Sequence, residues 1–470
     1  NLTIVQSSPD TIAAIATPPG KGGIGVIRVS GTLAPSIAEA LVGHLPEPRL
    51  ATLVTFREED GAAIDQGLIL FFPGTASFTG EPVLEVHGHG GVVVMDLLLQ
   101  RVLSLGARPA RAGEFTERAF LNDKIDLAQA EAVADLIDSV SEASARSAVR
   151  SLSGDFSACL GDLTEQLIEL RVYIEAAIDF PEEEIDFLAD ESIVTRLNTI
   201  TSSLDNIRQR ASQGAVLREG VSLAIVGPPN AGKSSLMNRL SRQDIAIVNE
   251  QAGTTRDILR EKLVVQGIPI ELVDTAGIRS TSDAVEREGV QRALAELARA
   301  DIALLVFDQS LGQHGVISAM GDLLASIGSA LETFQGVLIL VMNKKDLVRV
   351  DTGWEAVQDI LSICPQINER VSISAATGEG LERLFDVIAQ SAGLTTTVEG
   401  VFMARRRHLV ALDEASARVR AGQAQLAVNA AGELLAEELR EAQRYIGEIT
   451  GDFTNDDLLG RIFSSFCIGK

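Results

Sequence analysis

Hydrophobic positions along the chain fall into three rhythms. Up to about residue 122, apolar residues come in short runs, 24–29, 68–72 and 83–86, separated by Gly and Pro. Such runs predict strands joined by turns, with one helix over 92–105. From Lys124 to about Gly214 the rhythm lengthens. No Gly or Pro stands between Ile125 and Ser153, and Ile125, Ala128, Ala132, Leu136 and Val140 recur at helical intervals beside an acidic face, the spacing of an amphipathic helix. The texture repeats over 160–177, is broken by Pro181 and an acidic run, and resumes over 191–211.

From Val221 to about Ala392, short apolar runs (222–226, 269–273, 302–307, 337–342 and 371–373) alternate with helical stretches. This is how a mostly parallel α/β sheet is written in sequence. After a polar linker at 395–397, helical texture returns over 405–446 and 455–465. The predicted fold class is multidomain, α/β and α. It comprises an N-terminal α+β domain (1–122), a helical domain in two parts (123–216 and 394–470), and a Ras-like P-loop α/β domain (217–393) inserted between them.

Composition narrows the class of function. At 470 residues the chain exceeds what one core usually supports, and 46% hydrophobic with 22% charged residues reads as globular. Aromatics, at 4%, leave the core to aliphatic residues and Ala. A formal net charge of −25 excludes general nucleic-acid binding, because the mean field repels phosphate. Contact with RNA then needs a local basic patch or a partner. Three scattered cysteines, Cys159, Cys364 and Cys467, build no disulfide framework and fit a reducing compartment. The first residues lack a secretory pattern, and no apolar run reaches membrane-spanning length, the best having strand length. The expectation is a cytoplasmic protein with no membrane contact.

Candidate chemistry concentrates in the α/β segment. Gly227-Pro-Pro-Asn230-Ala231-Gly232-Lys233-Ser234 follows an apolar strand and opens a helix at Ser235, as a phosphate-binding P-loop requires. Its backbone N–H groups and helix N-terminus favour phosphate, Lys233 can reach the β- and γ-phosphates, and Ser234 can hold Mg2+. Asp274-Thr275-Ala276-Gly277 ends a strand, where Asp274 can reach the metal shell and the Gly277 amide can sense the γ-phosphate. Thr255 in Gly253-Thr254-Thr255-Arg-Asp257 offers a second hydroxyl to the metal. Asn343-Lys344-Lys345-Asp346 supplies a carboxylate for the two donors on the guanine edge, which adenine lacks. Ser374-Ala375-Ala376 completes the base pocket. In this order the strings favour GTP over ATP.

The position after Gly277 is Ile278, which cannot orient a water as glutamine does in many signalling GTPases. Hydrolysis therefore needs another device. Asn230 is a candidate ligand for a monovalent cation, and Glu286, with Glu288 beside it, is the preferred acidic residue for the missing catalytic role; the alternative is that both glutamates merely solvate a helix.

With these motifs in hand, the segment resembles the Era-like bacterial GTPases. Nearly the full length resembles the MnmE (TrmE) family of tRNA-modification GTPases. The likeness runs through Asp10-Thr-Ile-Ala-Ala-Ile-Ala-Thr-Pro-Pro-Gly20, Gly88-His-Gly-Gly91, Arg111-Ala-Gly-Glu-Phe-Thr-Glu-Arg-Ala-Phe-Leu-Asn-Asp-Lys124 and the ending Phe466-Cys-Ile-Gly-Lys470. The resemblance implies a homodimer through the N-terminal domain, which binds a one-carbon tetrahydrofolate (5-formyl or methylene), and an FAD-dependent partner, MnmG (GidA). Together they would place an aminomethyl or carboxymethylaminomethyl group on carbon-5 of a tRNA wobble uridine. It implies potassium-dependent hydrolysis as G domains meet across the dimer, with Asn230, Asn249, Gln251 and Thr254 around K+ and Glu286 catalytic. The family commonly has Thr where this chain has Asn249. For folate it implies Arg28, Glu85, Lys124 and Lys470. The rival reading is an Era-like ribosome-assembly or signalling switch, which would carry an RNA-binding module where helices return here. A folate-binding regulator with a vestigial GTPase fits the complete motif set less well.

Other features carry less. Gly20-Lys-Gly-Gly-Ile-Gly25 precedes a strand rather than a helix and reads as a turn. His87-Gly-His89 has metal-like alternation without further ligands nearby. Cys467 is a candidate nucleophile toward carbon-6 of the uridine, or a buried or interface thiol. Arg405-Arg-Arg-His408, the densest basic cluster, is either a tRNA or partner contact or a basic helix start.

Overall fold

A computed structural model describes residues 10–179, 191–240, 262–273, 294–348, 355–394, 400–429, 432–452 and 456–469. By compactness the chain divides into two units. The first takes Asn1–Ala134, Ser151–Thr201 and Glu414–Lys470, and the second takes Asp135–Arg150 and Ser202–Asp413.

In the first unit, β1 (Ile12–Ile15), β2 (Gly25–Ser30), β3 (Thr52–Arg57), β4 (Ala63–Phe72), β5 (Val83–Gly88) and β6 (Arg108–Pro109) form one sheet in the order β3-β4-β5-β2-β1-β6. Its pairs are antiparallel except β1 with β6. Alternation along the strands decides its faces. Ile27, Val29, Ile69, Phe71, Leu84 and Val86 point to a core shared with Ile37, Leu41, Met95, Leu98 and Val102 of the helices Ala34–Val42 and Val92–Ser104. Arg28 and Glu85, out of phase with those residues, stand directly opposite each other on the other face. The sequence reading held one helix in this region. It missed Ala34–Val42, which opens with a proline in its first turn and closes on left-handed Gly43, and Glu114–Leu121. Gly and Pro near these short helices read as turn signals.

The helical part of this unit follows the predicted periodicity. The helix Asp155–Asp179 buries Phe156, Leu160, Leu163, Leu167, Leu170 and Ile174, and it packs on Gly432–Thr450, which buries Leu435, Leu439, Ala442 and Ile446. The terminal helix Asp456–Ser464 sets Ile462 and Phe463, with Phe466 beyond it, against Leu127 and Ala130.

The second unit holds β7 (Val221–Val226), β8 (Lys262–Val265), β9 (Ile268–Val273), β10 (Ile302–Asp308), β11 (Val337–Asn343) and β12 (Ile367–Ser372), in the order β12-β11-β10-β7-β9-β8. All pairs are parallel except β8 with β9. β10 is buried at every position because helices cover both faces. Leu304 and Val306 meet Leu236, Leu384 and Ile388 on one side, while Ala303, Leu305 and Phe307 meet Val316, Met320 and Ile327 on the other.

The structure departs from the sequence reading in four places. The continuous helix read from Ile125 onward breaks into Leu127–Ile137 and Glu142–Leu152, because Ser141 and Ser144 accept each other's backbone N–H at 3.1 Å and restart the helix as a capping pair. The edge strand β8 was not foreseen. The stretch Gln309–Thr333 is long and apolar enough to cross a membrane, with mean hydropathy 1.2 over its best window, although no such run was seen in the sequence. Interspersed Gly and Ser hid it, and its Val316, Met320, Ile327 and Leu331 face packs against the sheet. The helix Glu191–Glu219 also continues past 216, where the sequence reading placed a boundary, and ends at left-handed Gly220.

Candidate functional site

The P-loop lies between the end of β7 and the helix Lys233–Leu240. Asn230 has φ 65° and Gly232 φ 92°. A Cβ at Gly232 would stand 2.2 Å from the Asn343 amide nitrogen, so only glycine fits there. That contact explains the loop's position. Asn343 is 2% exposed, donates from Nδ2 to the Ala231 carbonyl at 2.8 Å, and accepts at Oδ1 from the Ala375 N–H at 3.0 Å. One buried amide thus joins the phosphate loop, the end of β11 and the loop after β12.

Around this hub the expected residues converge. Lys233 Nζ donates to the carbonyls of Gly227 (2.7 Å) and Pro228 (2.8 Å), spanning the loop that it would leave for a phosphate. Ser234 and Ser235 are exposed in the first helical turn, and Asn230 is exposed at the loop's crest. Asp346 accepts at Oδ1 from Ser374 Oγ at 2.5 Å, and Ser374 Oγ accepts from the Thr377 N–H at 3.1 Å. The Asp346 carboxylate is therefore oriented from below with its other oxygen available. Lys344 adopts φ 65°, while Ala375 is buried beside Asn343. This arrangement fits a nucleotide: a loop shaped for backbone donors, a lysine, a hydroxyl for a divalent ion and an acid for paired N–H donors.

Asn249, Gln251, Thr254, Thr255, Asp274, Thr275, Ala276, Gly277, Ile278, Glu286, Glu288 and Lys470 lie outside the described residues.

The candidate folate residues are partly assembled. Arg28 donates from Nε (3.1 Å) and Nη2 (2.9 Å) to Glu85 Oε1, and its guanidinium lies 5.9 Å from the ring centres of Phe78 and Phe115. Glu85 Oε2 lies 3.3 Å from His87 Nε2. Lys124 donates instead to the Thr75 carbonyl at 2.8 Å. A carboxylate already held by a guanidinium, with aromatic rings nearby, suits a flat heterocycle bearing N–H donors.

The lesser features resolve differently. His89 Nδ1 lies 2.8 Å from Asp65 Oδ1, and among the described residues no group of three or more His, Cys, Asp or Glu could hold a metal ion. Arg405 is spent on Asp135 at 2.8 Å, and buried His408 accepts the Arg405 N–H at 3.1 Å, so this half of the basic cluster starts a helix. Cys467 is a free, exposed thiol whose carbonyl accepts the Gly113 N–H at 3.3 Å.

Sequence reasoning missed the polar framework around the Arg111–Lys124 motif. Arg118, 7% exposed, donates to Asp10, Glu81 and Glu114, and Arg108 pairs with Asp10 and Glu114. It also missed Asp308 and Asp135. A lone acid ending the otherwise apolar β10 was the only available signal for Asp308.

Known proteins resemble this chain along nearly its whole length. The family model for the GTP-binding protein TrmE N-terminus matches residues 11–124, and that for the MnmE helical domain matches 127–467. A tRNA modification GTPase MnmE of Stutzerimonas stutzeri (strain A1501) is 54% identical over 461 residues, covering 98% of this chain and 99% of its own. Among solved structures, a GTP-binding protein of Sulfolobus solfataricus in complex with GDP is 20% identical, covering 49% of this chain and 66% of its own, with a TM-score of 0.27. The elongation factor SelB of Methanococcus maripaludis with GppNHp is also 20% identical, covering 38% and 35%, with a TM-score of 0.27. On the near full-length identity and the two family matches, this chain belongs to the MnmE (TrmE) family of tRNA modification GTPases.

Proposed function

We propose that the chain binds GTP with Mg2+ across the P-loop and the Asn343–Asp346 pocket and hydrolyses it to drive modification of the tRNA wobble uridine. The observation that carries this reading is the Asn343 amide, which bonds Ala231 of the phosphate loop and Ala375 after β12, next to the Ser374 that holds Asp346. Lys233 would exchange two loop carbonyls for phosphate oxygens, Ser234 would offer its hydroxyl to the metal, and Asp346 would accept from guanine. A bound divalent ion would neutralise charge on the transferred phosphoryl group.

Hydrolysis is potassium-dependent and activated when two G domains meet. Asn230, Asn249, Gln251 and Thr254 would hold the cation, Thr255 would offer a hydroxyl to Mg2+, and Glu286 would orient water. The cation supplies the positive charge that an arginine finger gives elsewhere. The N-terminal domain forms the homodimer and takes a one-carbon tetrahydrofolate at Arg28, Glu85, Lys124 and Lys470. With the FAD-dependent partner MnmG, the chain installs an aminomethyl or carboxymethylaminomethyl group on carbon-5. The division 1–122, 123–216, 217–393 and 394–470 assigns these tasks to separate domains.

The test is a strain lacking this gene, with and without the gene restored. Mass spectrometry of its tRNA hydrolysate should show the modified wobble nucleoside only in the restored strain; its persistence without the gene would refute the assignment. In the purified chain, GTP hydrolysis should be at least about tenfold faster in K+ than in Na+ at equal ionic strength, and equal rates would remove the cation mechanism.

A further inference from the structure

Asn343-Lys344-Lys345-Asp346 carries two lysines within two residues of the carboxylate proposed to read the base. Each cation is held by another acid. Lys345 Nζ lies 2.9 Å from Glu379 Oε1, an exposed pair. Lys344 Nζ donates at 2.7 Å to Oδ2 of Asp308, whose side chain is only 12% exposed. Asp308 ends β10 in register with Asn343 at the end of β11, and its Oδ1 accepts from Ser310 N (2.9 Å) and Oγ (2.5 Å). Burial works against its ionisation, but the bonds from Lys344 and Ser310 hold its carboxyl below the usual carboxylate range. Gln309, the next residue, donates to the Met342 carbonyl (3.2 Å) and Ser372 Oγ (3.1 Å), tying the ends of β10, β11 and β12 together. The anchor for Lys344 is therefore fixed to the sheet, unlike Glu379.

We infer that Asp308 is a positioning residue for guanine recognition: by pairing with Lys344 it keeps that ammonium off Asp346, leaving the Asp346 carboxylate for the base. This rests on the reading of Asn343, Asp346 and Ser374 as the guanine pocket. Without Asp308, the ammonium is a flexible cation two residues from an acid, and pairing there would occupy the acceptor that guanine needs. The anchored lysine also presents its four-carbon stem in one arrangement, so less side-chain freedom is lost when nucleotide binds.

A double-mutant cycle in the full chain tests this, with GDP dissociation constants read by fluorescence competition. Asp308→Asn keeps an acceptor for Ser310 and removes the charge and the acceptor that face Lys344. It should weaken GDP binding by about tenfold, the size of one charge-assisted hydrogen bond. In the Lys344→Met background the same change should have little effect, because the ammonium that Asp308 holds is gone. An equal loss in both backgrounds would mean a structural role. Unchanged or tighter binding by Asp308→Asn would equally overturn the inference. Should the single variant fold poorly, the double variant, which buries no unpaired ammonium, should fold and match Lys344→Met; weaker binding than that would refute it. The Asp346→Asn variant separates the two levels. If it does not shift preference from GDP to xanthosine diphosphate, the pocket reading itself fails. If it does and the cycle shows no coupling, only the role of Asp308 is lost.

Discussion

Asp346→Asn is expected to convert the chain from guanine to xanthine recognition. Guanine presents N1–H and an amino group, which a carboxylate accepts together. Xanthine replaces the amino group by a carbonyl, which the amide of an asparagine can meet with its own donor. Ser374 Oγ holds the Asp346 carboxylate from one side at 2.5 Å and would hold the asparagine oxygen in the same way, so the new amide NH2 faces the ligand. Leaving donors unpaired in a site built to accept them costs on the order of 10²- to 10³-fold in affinity. Competition binding with GDP and xanthosine diphosphate should therefore show GDP weakened by about that factor and the preference reversed. An unchanged preference would remove Asp346 from the base pocket.

The second large effect concerns stability. Arg118 donates from Nη1 to the Asp10 carbonyl (3.1 Å) and Glu81 Oε2 (2.9 Å), and from Nη2 to Asp10 Oδ1 (2.8 Å) and Glu114 Oε1 (3.3 Å). Arg118→Met removes the charge but keeps most of the apolar volume, leaving buried Glu114 and half-buried Glu81 short of a partner. Breaking a buried pair in this way costs roughly 3–5 kcal/mol, which in a domain of this size lowers the melting temperature by more than about 10 °C. The wild type should show the same network through pH. Burial opposes ionisation of Glu114, but the Arg108 bonds, the Arg111 N–H and the Arg118 charge pull its pKa down to about 2, from 4.5. A depressed carboxyl stabilises the fold above its unfolded value, so this contribution is complete above about 4.5 and lost as pH falls through about 2. Melting curves of both proteins at neutral and acid pH measure it. A variant melting with the wild type at pH 7 would show the network to be dispensable.

Local physics made much of the chain legible in advance. Alternating apolar runs announced β2, β4 and β5, and uninterrupted runs announced β7, β10 and β11, because strand periodicity and two-sided burial leave a mark on consecutive residues. The P-loop was readable for a similar reason. Its glycines, lysine and serine must sit at fixed spacing between a strand and a helix. The break at Ser141 was not readable, because helical periodicity does not register two serines that cap each other.

Readable from the residues themselves were the principal strands of the second unit and the chemical types at the pocket: a loop with φ > 0 positions, a lysine, and an acid after β11. Tertiary structure alone decided which charges are available. Asp346 and Asp308 are both acids at the ends of apolar strands or just beyond, yet one faces a serine and the other an ammonium. Arg118 and Arg405 look like surface cations in sequence, yet each is committed to buried carboxylates. The physical reason is that a charge acquires its role from partners brought together across long chain separations. Asp10 and Arg118 are 108 residues apart, and Asp135 and Arg405 are 270 apart. No short-range pattern records such a pairing, and burial among those partners makes each of them costly to remove.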